Sequence, residues 1–373
     1  MKPFPTVPLR SILTGSLLLL VAGCATAPTE TQKSAVFYPQ APQPPRLQYL
    51  TSFSGEQDLG REVSKFEAYV VGKQVAKKPI GKPYGMALRG NQLYVCDLGS
   101  GSIDILDLKQ RTFRYFTPAG EGKIVTPINI SIDQDGTRYV TDPVRGQVLI
   151  YSADDRYLGA IGAKTVKSES GSAASADALK PSDVLVAGNR LFVADLKSRS
   201  VHVYDKTKRE LLHTIPRNPD TADAASRLFS PVNLALDTQG RLYVSDLGAF
   251  RVQQYDSDGR YLRTFGLGAG DKPGEFARPK GVAVDREGRV YVVDAGTQVV
   301  QIFDPEGRLL PFFGEMLENM PGLDLPAKVI IDYEHVELFQ SYAAPGFHLE
   351  YLVLVTNQFG DRKVSVFGFG HGN

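Results

Sequence analysis

From Gly288 to Gly314 the chain reads GRVYVVDAGTQVVQIFDPEGRLLPFFG, with apolar and polar positions alternating in short runs broken by turn residues. A period of two sends successive side chains to opposite faces, so each run predicts a short β-strand. The word YVVD inside it is nearly repeated as YVCD, YVTD, FVAD and YVSD. The five words end at Asp97, Asp142, Asp195, Asp246 and Asp294, at intervals of 45, 53, 51 and 48 residues. A weaker sixth word, LVTN, ends at Asn357. Repetition at this period points to a propeller or a solenoid.

Each word sits in one frame. Upstream, a proline opens an apolar alternation: PYGMALR (83–89), PINISID (127–133), PSDVLVA (181–187), PVNLALD (231–237), PKGVAVD (279–285) and PAKVIID (326–332). Downstream comes a third alternation, such as SIDILD (102–107) or VVQIFD (299–304), then turn residues and a fourth run such as RYLRTFG (260–266). Four short antiparallel strands make one propeller blade. The sixth unit has three strands before the chain stops. RLQYLTSFSG (46–55) has the pattern of a fourth strand, so the N-terminal strand is expected to complete blade six. Closure of this kind leaves no frayed terminal edge. The expected fold is all-β, a six-bladed β-propeller over residues 46–373.

The frame P-x-G-V-A-V-D, G-R-V-Y-V-V-D, then V-Q-x-F/Y-D, G-R-x-L and F-G resembles the NHL repeat, carried best by blades four and five. The Asn-His-Leu triplet of that family is absent, the corresponding loops reading LGAFRV (247–252) and AGTQVV (295–300). The resemblance implies a six-bladed ring. The aspartate that ends each second strand is expected to accept backbone N–H bonds from the turn that follows.

The leading segment changes the picture of where the ring resides. Lys2 and Arg10 precede the apolar run LLLLVAG (17–23), which stops at Cys24 and is too short to be a permanent span. This layout is that of an export signal, residues 1–23. V-A-G-C resembles the bacterial lipobox, which implies cleavage before Cys24, acylation of that residue with palmitate-type chains, and a membrane anchor. Ala25 follows in place of the Asp that retains such proteins in the inner membrane, so the resemblance implies the outer membrane. The chain as a whole resembles exported NHL-repeat lipoproteins. Residues 24–45, ending APQPP, are polar and proline-rich and predict a hydrated tether.

Composition narrows the partners. Without Lys2 and Arg10 the 42 basic residues become 40, against 41 acidic ones, a formal charge of −1 with no run of one sign. That excludes the electrostatic footprint of a nucleic-acid binder. The chain has two cysteines, so a lipidated Cys24 leaves Cys96 without a disulfide partner. Cys96 takes the slot of Thr141, Ala194, Ser245 and Val293 in the sister words and reads as a small buried filler.

Candidate chemistry is sparse. Two residues after the blade prolines lie Gly85, Asn129, Asp183, Asn233, Gly281 and Lys328. Glycine is the default of the repeat, so Asn129, Asp183 and Asn233 are a candidate ligand or metal site at the channel mouth. Hard cations favour such oxygen donors. Similarity to lactonase-type propellers implies a divalent ion, calcium or zinc, held at the channel mouth, although the ligands of that family sit one residue closer to the proline. None of His202, His213, His335, His348 and His371 falls on an expected first or second strand, which disfavours a lyase with inner histidines. No C-x-x-C-H, G-x-S-x-G or Walker A sequence occurs. No cofactor is expected.

Two departures from the plain repeat suggest contacts. Long connections mark one face: a helical spacing in 62–72, a Ser/Ala/Gly loop at 164–177 expected to be flexible, and 217–226. Blade six carries an insertion on the opposite face, YEHVELFQSYAAPGFHLEY (333–351). Its Tyr333, Phe339, Tyr342 and Phe347 form a candidate partner surface. The expected function is a membrane-anchored binding or scaffolding module of the cell envelope, holding another envelope protein or polymer. The alternative is a metal-dependent hydrolase of lactonase type at the channel mouth.

Overall fold

The computed structural model describes residues 35–60, 77–162, 178–217, 225–316 and 322–372, together with the backbone of 166–168 and 171–173. Cys24, the export signal and the helical spacing in 62–72 lie outside the described residues.

Six antiparallel sheets stand in a ring, blades one to five each with four strands in chain order. Blade one runs Pro83–Arg89, Gln92–Asp97, Ser102–Asp107 and Thr112–Phe116; blade five runs Pro279–Val284, Val290–Asp294, Val299–Phe303 and Leu309–Phe313. Blade six takes Pro326–Asp332, Phe347–Asn357 and Val364–Gly372 from the C-terminal end and Leu47–Phe53 from the N-terminal end. In the closing pair Leu47 lies opposite Phe369 and Phe53 opposite Val364. The ring is therefore fastened by its own leading segment.

The two-residue period builds the core. Leu93 and Val95 pack into the seam with blade six, whereas Tyr94 and Cys96 pack into the seam with blade two. Every blade splits its side chains in this way, and the described residues form six apolar clusters, one per seam. Cys96 is wholly buried, and burial, first of all, pushes its thiol well above the ordinary range. It is the filler that its slot suggested.

The repeated aspartate does more than end a strand. Asp97 accepts N–H bonds from Gly81 (2.7 Å) and Lys82 (2.6 Å) before the blade proline and from Gly99 (2.7 Å) in the turn after it. Asp294 likewise accepts from Ala277, Arg278 and Gly296. Asp142, Asp195 and Asp246 hold the same two segments or the first of them. In blade six Asn357 substitutes, accepting from the backbone of Asp324 at 3.1 Å. Each acid thus ties the entry of its blade to the turn beside it. Burial raises the Asp97 carboxyl, yet the three N–H groups together hold it below its usual value.

Two expectations change. The polar segment does not stay free as far as residue 45, because Phe37–Tyr38 pairs with Leu47 and Gln48 as a fifth strand of blade six. Tyr38 is buried, with its ring against Phe313 and Phe367. An apolar patch of three residues, Val36 to Tyr38, suffices to dock inside a polar stretch. Within 164–177, expected as a flexible loop, Val166–Ser168 pairs with Gly171–Ala173.

Candidate functional site at the channel mouth

The first strands line the channel, and their ring residues meet there. Asp183 is fully buried and accepts the N–H of Val184 (2.8 Å) and, from the next blade, that of Leu234 (2.7 Å). Asn233 repeats the step, accepting the N–H of Val282 in blade five at 3.0 Å. Asn129 donates to the Ser182 carbonyl at 2.8 Å. These three side chains staple neighbouring first strands. Where the ring has glycine the backbones come closer: a Cβ at Gly85 would stand 2.1 Å from Asn129 Oδ1, and one at Gly281 would stand 2.8 Å from Lys328 Cα.

The sixth ring residue completes the arrangement. Lys328 Nζ lies 2.9 Å from Asn233 Oδ1 and 3.2 Å from Asp183 Oδ2. Its ammonium stands where a cation shared by these oxygens would stand. Burial raises the Asp183 carboxyl, and the Lys328 charge pulls it back. Among the described residues no group of three or more His, Cys, Asp or Glu gathers as a metal would require. The first strands border a cavity of about 320 Å³, lined by Lys328, Leu185, Leu236, Val284 and Ile330 among others.

The histidines and the insertion resolve differently from expectation. His348 lies on the second strand of blade six, which the insertion extends to Phe347–Asn357, and its side chain is exposed. The expected partner surface is mostly buried. Phe339 and Phe347 pack into the seam of blades six and one, Phe339 against Phe53 and Phe347 against Phe37. Tyr333 accepts the Arg286 N–H at 3.0 Å and lies under its guanidinium. Only Tyr342 of the four is exposed, at 51%. The reason is physical: these rings cover apolar surface where the seam of a strand from each end of the chain would otherwise meet water.

The other face carries what the sequence had not singled out. Apart from positions on outer strands, the exposed large apolar side chains sit chiefly on loops between blades or between second and third strands: Val125, Val144, Phe229, Leu267, Met316 and Phe359. All six are on the face of the blade prolines. There too lie Lys82, Tyr84, Arg278 and Lys280, flanking Pro83 and Pro279. Lys280 is 6% exposed, with Nζ 4.9 Å from the Tyr84 ring centroid; Lys82 Nζ is 5.2 Å from that of Phe359. Burial, and then the charges of Arg278 and Lys82, bring the Lys280 ammonium down to about 8. Burial lifts the Tyr84 phenol to about 12, Arg278 opposing and Asp183 adding to the rise. A sequence signal existed, a basic residue before the proline in KPY, KPS and RPK, but in one dimension it reads as ordinary surface charge.

One buried acid stands apart. Asp104, on the third strand of blade one, is wholly buried; Oδ1 accepts the Ser102 hydroxyl at 2.6 Å and the Asp97 carboxyl lies beside it. Burial pushes its carboxyl up to about 8, with the Ser102 bond opposing and Asp97 adding to the rise. The unfolded chain releases this proton near pH 4, so the folded state binds more protons between about pH 4 and 8 and loses stability as pH rises through that window. Asp104→Asn keeps the shape and removes the ionisation. It is expected to raise stability at pH 8 by roughly a few kcal/mol and to give no gain at pH 4. Denaturant titrations at both pH values check this, and an equal effect at each would refute the assignment.

Comparison with known proteins agrees with this architecture. Residues 276–303, covering the first three strands of blade five, match the NHL repeat. No curated protein sequence matches the chain. Among solved structures, virginiamycin B lyase from Staphylococcus aureus is 10% identical, over 77% of this chain and 95% of that one, with a TM-score of 0.51. The gluconolactonase from Xanthomonas campestris is 15% identical, over 90% of this chain and 97% of that one, with a TM-score of 0.52. At these identities the likeness is one of fold.

Proposed function

We propose that this six-bladed propeller with its NHL repeat is a binding module of a bacterial cell envelope, anchored in the outer membrane through lipid on Cys24. In this reading it engages an envelope protein or polymer through the face of the blade prolines. The observation that carries the binding reading is the sorting of exposed groups: apolar side chains gather on that face with Lys82, Arg278 and Lys280, which form no ion pair with a described residue, while the opposite insertion is largely packed away. Exposed apolar groups beside charge suit partner recognition. The alternative, a metal-dependent hydrolase of lactonase type, draws on the fold alone. A divalent ion at Asp183 and Asn233 would have to displace the Lys328 ammonium.

The test is made in cells with the full chain. The unmodified chain is expected in the membrane fraction and the Cys24→Ser variant in the soluble one. A photo-crosslinking residue at position 229 or 267 is expected to trap a discrete envelope partner, and one at 342 is not. Crosslinks from 342 alone would place the interface on the insertion and overturn the reading.

A further inference from the structure

We propose that blades one and five build an anion-binding site over the mouth of the channel, in which Lys82, Arg278, Lys280 and the Tyr84 hydroxyl hold a doubly charged oxyanion. This deepens the binding reading, on which it rests, by giving the same face a ligand class.

Four observations carry the assignment. First, the positions come together through the ring. Lys280 and Tyr84 each follow the proline of their blade, and blade six between them has Ala327 at that place. A methyl group there leaves the two long side chains free to reach across, and the ammonium meets the ring face at 4.9 Å. Second, the cations lack counter-ions. No described carboxylate forms an ion pair with Lys82, Arg278 or Lys280, and the nearby Asp183 is engaged by Lys328 at 3.2 Å. Third, Lys280 is 6% exposed, and burial, followed by repulsion from Arg278 and Lys82, weakens its hold on its proton. Burying an ammonium among like charges is costly in the free protein. An arriving anion removes that cost, which is what a pre-organised site does. Fourth, the Tyr84 hydroxyl keeps its proton to about 12 and makes no hydrogen bond to a described residue, so it is free to donate to an oxygen.

The backbone makes the cluster rigid. The N–H of Lys82 is fixed by Asp97 at 2.6 Å and that of Arg278 by Asp294 at 2.7 Å. The same aspartates that the repeat uses to tie each blade therefore also fix the backbone from which the two cations project. Three positive charges against one ligand favour a dianion over a monoanion. A phosphate group and a dicarboxylate both satisfy that chemistry.

The test uses the purified full chain with Cys24→Ser, inorganic phosphate and succinate as probes, and sodium chloride at matched ionic strength as the control. Millimolar phosphate, succinate or both are expected to raise Tm by several degrees over chloride, and Lys280→Gln and Arg278→Gln are each expected to weaken the response at least fivefold. A response to phosphate alone identifies a phosphate ligand, and one to succinate alone a dicarboxylate; either supports the site. Equal Tm in all three salts, or an undiminished response in both variants, overturns it. Because this assay involves no partner, its failure leaves crosslinking at positions 229 and 267 as an independent test of the binding reading.

Discussion

Deletion of residues 35–53 is expected to abolish the stable ring. The segment supplies the fourth and fifth strands of blade six, and Tyr38, Leu47, Leu50 and Phe53 are buried there. Burial of four such side chains contributes about 2 kcal/mol each, roughly 8 kcal/mol together. That is comparable with the whole stability of an ordinary domain, about 5–15 kcal/mol. The deletion also strips the ladder from Val364–Gly372, leaving an apolar edge open to other chains. Loss of the cooperative thermal transition and association in size-exclusion chromatography are the expected results. An unchanged Tm would mean that the ring closes without this strand, contrary to the pairing of Leu47 with Phe369. The double variant Leu47→Ala and Phe53→Ala removes side chains without removing strands and is expected to cost about 5–10 kcal/mol by the usual scale of large-to-small core changes.

Lys328→Met is expected to be the most damaging single change at the channel. It strands Asp183, 1% exposed, without the ammonium at 3.2 Å. Breaking a buried pair from one side typically costs about 3–5 kcal/mol. The loss carries a pH signature. Burial already raises the Asp183 carboxyl, and Lys328 is the chief influence opposing it. Without the lysine, the folded state keeps the proton well above the unfolded value of about 4. The folded state then binds more protons than the unfolded one, so the stability of the variant rises as pH falls. Denaturant titrations of Lys328→Met are expected to show a wide deficit at pH 8 that narrows at pH 5. Adding Asp183→Asn should recover much of the deficit at pH 8, since the uncompensated charge is gone. A variant as stable as the parent chain at pH 8 would show that the pair does not hold the ring.

Much of the architecture was legible in one dimension because a propeller blade is local. Its four strands follow one another in about fifty residues, and both the two-residue alternation and the proline-to-aspartate frame lie within a single unit. Even the long-range closure was readable, since RLQYLTSFSG keeps the pattern of a fourth strand at the wrong end of the chain. The chemistry was less legible. Asn129, Asp183 and Asn233 stood out as departures from glycine; Asp183 and Asn233 share the Lys328 ammonium, whereas Asn129 binds the Ser182 carbonyl. That Lys328 would supply the cation among them depends on two blades lying across the ring, 145 residues apart. The aromatic insertion departs from expectation for a related reason. Tyr333, Phe339, Tyr342 and Phe347 are equally apolar in sequence, and only the seams on either side of blade six decide which are covered.

The blade count, the strand period, the clamp aspartates and the closing strand follow from the order of residues alone, because alternation and turn chemistry act between near neighbours. Which side chains from different blades face one another depends instead on closure of the ring. The Lys328 plug, the buried insertion and the cluster of Lys82, Tyr84, Arg278 and Lys280 all arise from the ring, which brings together positions that no local pattern relates. Electrostatic and packing energies depend on distance through space, and a circular fold makes that distance independent of separation along the chain.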